Sequence, residues 1–273
     1  MPSTNRMVPR SQIDHLDLEA RIDLEARVTD AEVGHVDIDQ LAARTYRFEG
    51  WRRLTVNRFM VDHLSPVAGK TVLDLGCGYS MSPLRFAHAD AMVTACEVSP
   101  RAIAAVQEVA RRQGVADRIR FHVGPAERLP FPDASFDLIH GASVLHHVEV
   151  DMAGAELARV LKPGGKGVFT DPFGHNPLLE FARDYLPYPG KAQEKGTDLP
   201  LTVPAIARFA QHFSSHHWQG LELFGMIGKP LRIRRTIVGR RIHDGLNALD
   251  ALVLRQIPGI QKYCRYVGLV VVR

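Results

Sequence analysis

The chain has 273 residues, 45% hydrophobic and 23% charged, a composition that excludes a largely disordered, collagen-like or disulfide-stapled chain. At about 150 residues per domain, this length predicts one large domain, or one domain with an added part. The formal net charge of +4 lacks the dense basic clustering of a nucleic-acid binder, so we expect no nucleic-acid partner.

The apolar stretches, the first residues and the cysteines indicate where the protein is located and whether it binds a metal. No apolar stretch approaches the roughly 18 residues that a membrane span needs. The first residues, MPSTNRMVPRSQ, lack the apolar region of a signal peptide. Three scattered cysteines, Cys77, Cys96 and Cys264, form neither a disulfide framework nor a zinc pattern. We therefore expect a cytoplasmic protein without a metal site.

The N-terminal region, residues 1–64, is predicted to be a polar tail followed by helices that cap the core. Residues 17–28 contain a hexapeptide twice, DLEARI and then DLEARV. Two copies cannot form a solenoid, so we interpret the repeat as a helix. Residues 40–64 have the pattern of one or two amphipathic helices.

Strands and helices alternate over residues 65–171, the predicted core. The predicted strands are residues 71–75, 91–97, 119–123, 136–141 and 167–170, and the predicted helices are 82–88, 100–113 and 152–161. This alternation is typical of an α/β fold, a doubly wound parallel sheet with right-handed crossovers.

The C-terminal part departs from this pattern. Residues 172–220 are rich in proline and are predicted to be a lid or insertion that contributes to a substrate pocket. Its aromatic side chains either shape an apolar pocket or form the lid's own core; they are Phe173, Phe181, Tyr185, Tyr188, Phe209 and Trp218. In residues 221–273, segments 221–226 and 263–272 are predicted to complete a seven-stranded, mostly parallel sheet, with a helix over 243–256.

The strongest local motif is a glycine loop after the first predicted strand, Val72-Leu-Asp-Leu-Gly-Cys-Gly-Tyr-Ser80. Glycine permits close approach of the backbone to a ligand, and a following helix start favours anions. Met81 stands where a dinucleotide fingerprint has its third glycine, which disfavours a pyrophosphate loop. Glu97, near the end of the second strand, is placed to bind ribose hydroxyls. The alternative is a plain strand–helix turn with a surface glutamate.

Five segments in order make the sequence resemble the class I S-adenosylmethionine-dependent methyltransferases, in particular their small-molecule branch. They are Val72–Gly78, Glu97, the segment GPAERLPF at 124–131, the segment SFDLIHGASVLHHV at 135–148, and ELARVLKPGG at 156–165. The resemblance implies a seven-stranded Rossmann-like methyltransferase fold and S-adenosylmethionine as the cofactor.

The resemblance also implies roles for individual residues. The methionine end of the cofactor would lie on Asp74, Gly76 and Gly78, with Cys77 inside the same loop. Glu97 would bind the ribose, Val98 and Ala126 would flank the adenine, Glu127 would face its amino group, and Ala142 and Ser143 would line the cofactor.

For catalysis, the resemblance points to His146, the first histidine of the pair after the fourth strand, as a general base. Asp171, after the fifth strand, would orient it. The alternative is that this histidine pair is structural, capping a helix or packing on the cofactor.

Two further sets of residues carry weaker hypotheses. His212, His216 and His217 suggest a metal pair at helical spacing, but a solvated helix face is favoured because no third ligand is evident. The basic run Lys229–Arg241 is a solvated element, a site for an anionic substrate, or a peripheral contact with an acidic membrane surface.

The sequence thus predicts methyl transfer to a small or lipid-like metabolite, most favourably at oxygen. The alternatives are N- or C-methylation of an anionic phosphate or carboxylate metabolite, or a non-catalytic cofactor-binding subunit. A nicotinamide oxidoreductase is disfavoured by Met81.

Overall fold

The structure, a computed structural model, describes residues 16–53, 55–185, 199–228 and 236–273. The strands are β1 (Thr71–Leu75), β2 (Met92–Glu97), β3 (Ile119–Val123), β4 (Phe136–Ala142), β5 (Leu161–Pro172), β6 (Ser215–Leu221) and β7 (Tyr266–Val272). The helices are α1 (Leu18–Val33), α2 (Ile38–Ala42), α3 (Thr55–Leu64), α4 (Ser82–Ala87), α5 (Pro100–Arg112), α6 (Val150–Val160), α7 (Pro177–Tyr185), α8 (Val203–Ala210) and α9 (Ile237–Gln256).

All seven strands form one sheet in the order β3-β2-β1-β4-β5-β7-β6. The pairs among β1 to β5 are parallel, and β7 is antiparallel to both of its neighbours. The strand order reverses between β1 and β4, so the predicted doubly wound, mostly parallel fold is confirmed. A crevice is expected at this reversal, outside the carboxyl ends of the strands.

Two apolar layers cover the two faces of the sheet. Alternate residues of β1 belong to different layers: Val72 packs with side chains of α3, α4 and α5, whereas Leu73 and Leu75 pack with those of α6 and α8. This alternation follows from the two-residue period of a strand, and burial on both faces explains the apolar run in the sequence.

The sixth strand is the main correction to the sequence prediction. The strand expected at 221–226 lies instead at Ser215–Leu221, inside the segment predicted as a lid. Its first three residues are exposed at the edge of the sheet, so His216 and His217 lie on a strand and not on the helix face that the sequence suggested. An edge strand with polar side chains lacks the apolar run by which the other strands were recognised.

The aromatic side chains of the predicted lid are divided. Phe173 and Phe209 are fully buried in the layer that contains α6, and Trp218 packs against that layer. Phe181, by contrast, is 56% exposed. Most of these described rings therefore belong to the protein's own core.

Some predictions fall on other parts of the chain. The polar tail, Tyr188 and most of the basic run (residues 229–235) lie outside the described residues. After that gap α9 begins at Ile237, six residues earlier than predicted. Within the described ranges, no helix is both long and apolar enough to cross a membrane.

The packing of α6 in its apolar layer can be tested with two residues of this helix. Leu157 of α6 is fully buried, whereas Met152 of the same helix is 42% exposed. We expect Leu157→Ala to lower the free energy of unfolding by about 2–5 kcal/mol, because it leaves a cavity. Met152→Ala should change it by no more than about 0.5 kcal/mol. Urea denaturation measures both, and equal effects would contradict the layer assignment.

Candidate functional site

The glycine loop between β1 and α4 has the backbone that its sequence suggested. Gly76 and Gly78 both have positive φ, +59° and +49°. A Cβ at Gly76 would lie 2.4 Å from the side chain of Val144, whereas nothing lies within 4 Å of the Cβ position at Gly78. The loop is therefore crowded on the side of β4 and open at Gly78. Met81 also has positive φ, +59°, just before α4.

Next to this loop is a cavity of about 360 Å³ at the carboxyl ends of β1, β2 and β4. Its walls include all the residues predicted to bind the cofactor except Asp74. These are Gly76, Cys77, Gly78, Glu97, Val98, Ala126, Glu127, Ala142 and Ser143. The cavity thus gathers residues that are as much as 67 positions apart, because parallel strands end at one edge of the sheet.

The buried carboxylates of Glu97 and Glu127 stand on the cavity wall. Glu97 accepts hydrogen bonds from the backbone N–H groups of Gly78 and Ser99, at 2.9 and 3.0 Å. Glu127 accepts one from the N–H of Glu149 at 2.8 Å. Burial raises the pKa of both carboxyls, although these hydrogen bonds oppose the shift. Because a carboxylate has about four acceptor sites, each can also accept hydrogen bonds from a ligand.

Helix α1 forms a wall of the cavity that the sequence did not reveal. Its contribution is one helical face, made of Arg21, Ile22, Glu25, Val28, Thr29 and Glu32. The helix is fixed over the sheet by Asp30, whose carboxylate accepts a hydrogen bond of 2.5 Å from the Ser99 hydroxyl. The spacing of three and four residues is regular, but the face is largely polar and so gave no apolar signal.

Asp74 lies behind the loop. Asp74 on β1 and His140 on β4 are neighbours in register, and Asp74 Oδ1 is hydrogen-bonded to His140 Nδ1 at 2.6 Å. Both side chains are buried, and Trp51 and Phe86 pack on the histidine ring. Among the described residues, no group hydrogen-bonds to Asp74 Oδ2.

The two histidines after β4 lie in different surroundings. His146 is buried, and its Nδ1 is 2.8 Å from Asp171 Oδ1, so the structure brings the predicted base and its partner together. His146 does not line the cavity, whereas His147 does. The ring centroids of the two histidines are 3.9 Å apart. His147 Nδ1 lies 3.1 Å from the carboxylate of Glu25 in α1.

The cysteines are free and buried, as the sequence predicted for Cys77 and Cys96. Burial raises the pKa of the Cys77 thiol well above its usual range and that of Cys96 to about 12. Both therefore stay as thiols at neutral pH and are poor nucleophiles. Among the described residues, no group of histidine, cysteine or acidic side chains could hold a metal ion.

Comparisons with known proteins agree with this geometry. Residues 73–169 match a family model described as "Methyltransferase domain". The chain is 39% identical over 106 residues to the 27-O-demethylrifamycin SV methyltransferase of Amycolatopsis mediterranei, covering 38% of this chain and 39% of that protein. It is 31% identical over 157 residues to the ubiquinone/menaquinone biosynthesis C-methyltransferase of Shewanella piezotolerans, covering 55% and 60%. The match thus spans about two fifths of the first relative's length and three fifths of the second's.

The name of a third relative specifies methylation of nitrogen. The sarcosine/dimethylglycine N-methyltransferase of Aphanothece halophytica is 39% identical over 107 residues, covering 38% of this chain and 39% of that protein.

Two solved structures share the fold over most of the chain. Phospholethanolamine N-methyltransferase 2 of Haemonchus contortus superposes with a TM-score of 0.62 at 18% identity, covering 95% of this chain and 61% of that one. The cyclase SpnF gives 0.53 at 17% identity, covering 92% and 93%. At such identities the likeness shows the fold alone.

Residues 73–169 are therefore similar to a methyltransferase domain, and the relatives named above make S-adenosylmethionine the cofactor against which the cavity is tested. The residues present fit this cofactor. Gly78 leaves open space on the cavity wall, Glu97 offers hydrogen-bond acceptors on that wall, and Asp74 Oδ2 is a buried acceptor near the loop.

The role of Glu97 gives the first test of the site. Glu97→Ala removes a hydrogen-bond acceptor that also holds the N–H of Gly78, so we expect the Kd for S-adenosylmethionine to rise about 10- to 100-fold. Asp117→Ala, which removes an exposed acid elsewhere on the surface, is the control and should leave the Kd unchanged. Calorimetric titration measures both, and an unchanged Kd for Glu97→Ala would rule out the ribose contact.

The raised pKa of Glu97 predicts a pH dependence of cofactor binding. Protonation removes acceptor capacity, so affinity should fall as the pH drops through the pKa of Glu97. Because burial raises this pKa, the fall should begin above pH 4.5, the ordinary value for glutamate. Titrations between about pH 5 and 8 measure it. The Glu97→Ala variant should show a flatter profile, and an identical profile in both proteins would assign the effect to another group.

Proposed function

We propose that the protein transfers the methyl group of S-adenosylmethionine to a hydroxyl of a small or lipid-like metabolite, with His146 as general base. The observation that carries this proposal is the buried His146–Asp171 pair, with 2.8 Å between Nδ1 and Oδ1, on the loop that also forms the cavity wall. A histidine oriented by a carboxylate is a common general base near neutral pH.

The chemistry divides between the cofactor and the chain. When bound, the cofactor supplies an electrophilic methyl on a sulfonium sulfur, which keeps the electron pair of the broken C–S bond. With the proton of His146 on Nδ1, facing Asp171, its Nε2 accepts the proton of the acceptor hydroxyl as oxygen forms the new bond to carbon. The carboxylate then balances the charge of the imidazolium. Positioning accounts for the rest of the rate enhancement.

The burial of His146 favours contact with the acceptor over contact with the cofactor. Its side chain is 8% exposed and lies outside the cavity, whereas His147 lines it. The carbonyl of His146 accepts a hydrogen bond from the N–H of Leu199, which lies within the predicted lid where the described chain resumes. We therefore place the acceptor beside His146 and this part of the chain.

Names of relatives support oxygen as the acceptor atom without excluding others. Matches include the 27-O-demethylrifamycin SV methyltransferase and a protein named O-methyltransferase in Penicillium expansum. N- and C-methyltransferases match over similar segments, so N- or C-methylation of an anionic metabolite is the second candidate. The third candidate is a cofactor-binding subunit without catalysis.

One experiment separates these candidates. Purified protein is titrated with S-adenosylmethionine and with NAD, and is then incubated with cognate metabolite extracts that are searched by mass spectrometry for the gain of one methylene. Binding of NAD alone would contradict the proposal. Binding of S-adenosylmethionine without any methylated product would favour the non-catalytic subunit. The position of the new methyl group in the product decides between oxygen, nitrogen and carbon.

The proposed base is tested with the product found in that search. We expect His146→Ala to lower kcat by about 10²- to 10⁴-fold while cofactor affinity stays nearly intact, since His146 lies outside the cavity. Asp171→Asn should lower kcat in the same direction by disturbing the tautomer. The matched control is His212→Ala, which removes a histidine paired with Asp151 at 2.7 Å at the surface. Unchanged turnover in His146→Ala would show that the histidine is structural.

A further inference from the structure

The hexapeptide repeat in α1 places two equivalent glutamates in unlike surroundings. Glu19 and Glu25 occupy the same position in the two copies, six residues apart, which is not a whole number of helical turns. Glu19 is exposed and forms an ion pair with Arg128. Glu25 is 9% exposed and lies on the cavity wall. Glu19 at the surface is therefore a natural control for Glu25 at the cavity.

Glu25 reaches the loop that follows β4. Its carboxylate lies 3.1 Å from His147 Nδ1, and the Arg21 guanidinium, one turn earlier, donates a hydrogen bond of 3.3 Å to the His147 carbonyl. Helix α1 thus contacts both the ring and the backbone of His147. A buried carboxylate is costly unless it is paired, so this contact also favours the docked position of α1.

The ring of His147 lies at the boundary between the two parts of the site. It faces the cavity on one side, and it packs at a tilt against the ring of His146, with 3.9 Å between the centroids and 39° between the ring planes. Glu97 stands on the same cavity wall. A carboxylate that fixes the ring orientation of a histidine is a frequent means of positioning a group that meets a ligand.

We propose that Glu25 is a positioning residue of the cofactor site, and that it acts by holding the His147 ring as part of the cavity wall. This inference rests on the proposed function, because it assumes that S-adenosylmethionine occupies the cavity. Glu25 itself need not touch the cofactor. Without the Glu25 carboxylate, His147 loses the contact that orients its ring, and α1 loses a link to the loop after β4. The cavity wall is then less well ordered before the cofactor binds.

A competing explanation is a direct attraction between Glu25 and the positive sulfonium. The two explanations differ in what they predict for S-adenosylhomocysteine, which lacks the sulfonium charge. Positioning through His147 lowers the affinity for both ligands by the same factor. Direct attraction lowers the affinity for S-adenosylmethionine alone.

The test is calorimetric titration of four proteins with each ligand: wild type, Glu25→Gln, His147→Gln and the double variant. We expect Glu25→Gln to raise both Kd values about three- to tenfold, the range for the loss of one partly buried polar contact. In the His147→Gln background, Glu25→Gln should have no further effect. Glu19→Gln, the equivalent change in the other copy of the repeat, is the matched control and should alter neither Kd by more than about twofold.

Several outcomes would overturn the inference. These are an unchanged Kd in Glu25→Gln, an effect on S-adenosylmethionine alone, and an equal effect in both His147 backgrounds. Thermal unfolding without ligand identifies a variant that does not fold. If Glu25→Gln is such a variant, the inference depends on His147→Gln, which must raise both Kd values to the same extent. A wild-type protein that binds neither ligand would refute the proposed function itself, which is a distinct result.

Discussion

The site depends on the reversal of strand order between β1 and β4. Because helices leave these two strands toward opposite faces of the sheet, no crossover covers the crevice between their carboxyl ends. Gly76 makes the close approach possible, since any side chain there would collide with Val144 across the crevice. The cavity, the buried carboxylates and both histidines of the loop after β4 are all positioned by this one arrangement.

The two histidines of that loop show how adjacent residues can be assigned to different parts of a site. Asp171 comes from β5 in the sheet, and Glu25 comes from α1, a helix outside it. Each carboxylate contacts the imidazole nearest to it, and the two rings pack against each other at a tilt of 39°. The loop after β4 is thus held by the sheet through His146 and by the N-terminal helix through His147.

The sequence predicted the cofactor half of the molecule well, for a physical reason. β1 and β3 begin and end at the predicted residues because buried parallel strands are short apolar runs between turn residues. The predicted residues that line the cavity were found because each lies at the end of such a strand or soon after it. Two other elements were missed because their side chains are polar and give no apolar pattern. β6 carries exposed histidines at a sheet edge, and the cavity face of α1 carries charged side chains. The burial of Asp74 against His140 depends on the register of β1 and β4, which no local pattern specifies.

The antiparallel position of β7 has a consequence for how the molecule assembles. β7 lies between β5 and β6, and the pair Lys166–Val272 joins residues about a hundred positions apart. β6 pairs with the sheet only through β7, so it joins the sheet together with β7 or after it, although it precedes β7 in the chain. Contacts of such long sequence separation form slowly, because chain entropy must be lost before they contribute. During synthesis, the strands that line the cavity are complete well before the edge beyond β5, so this edge is the last part of the sheet to form.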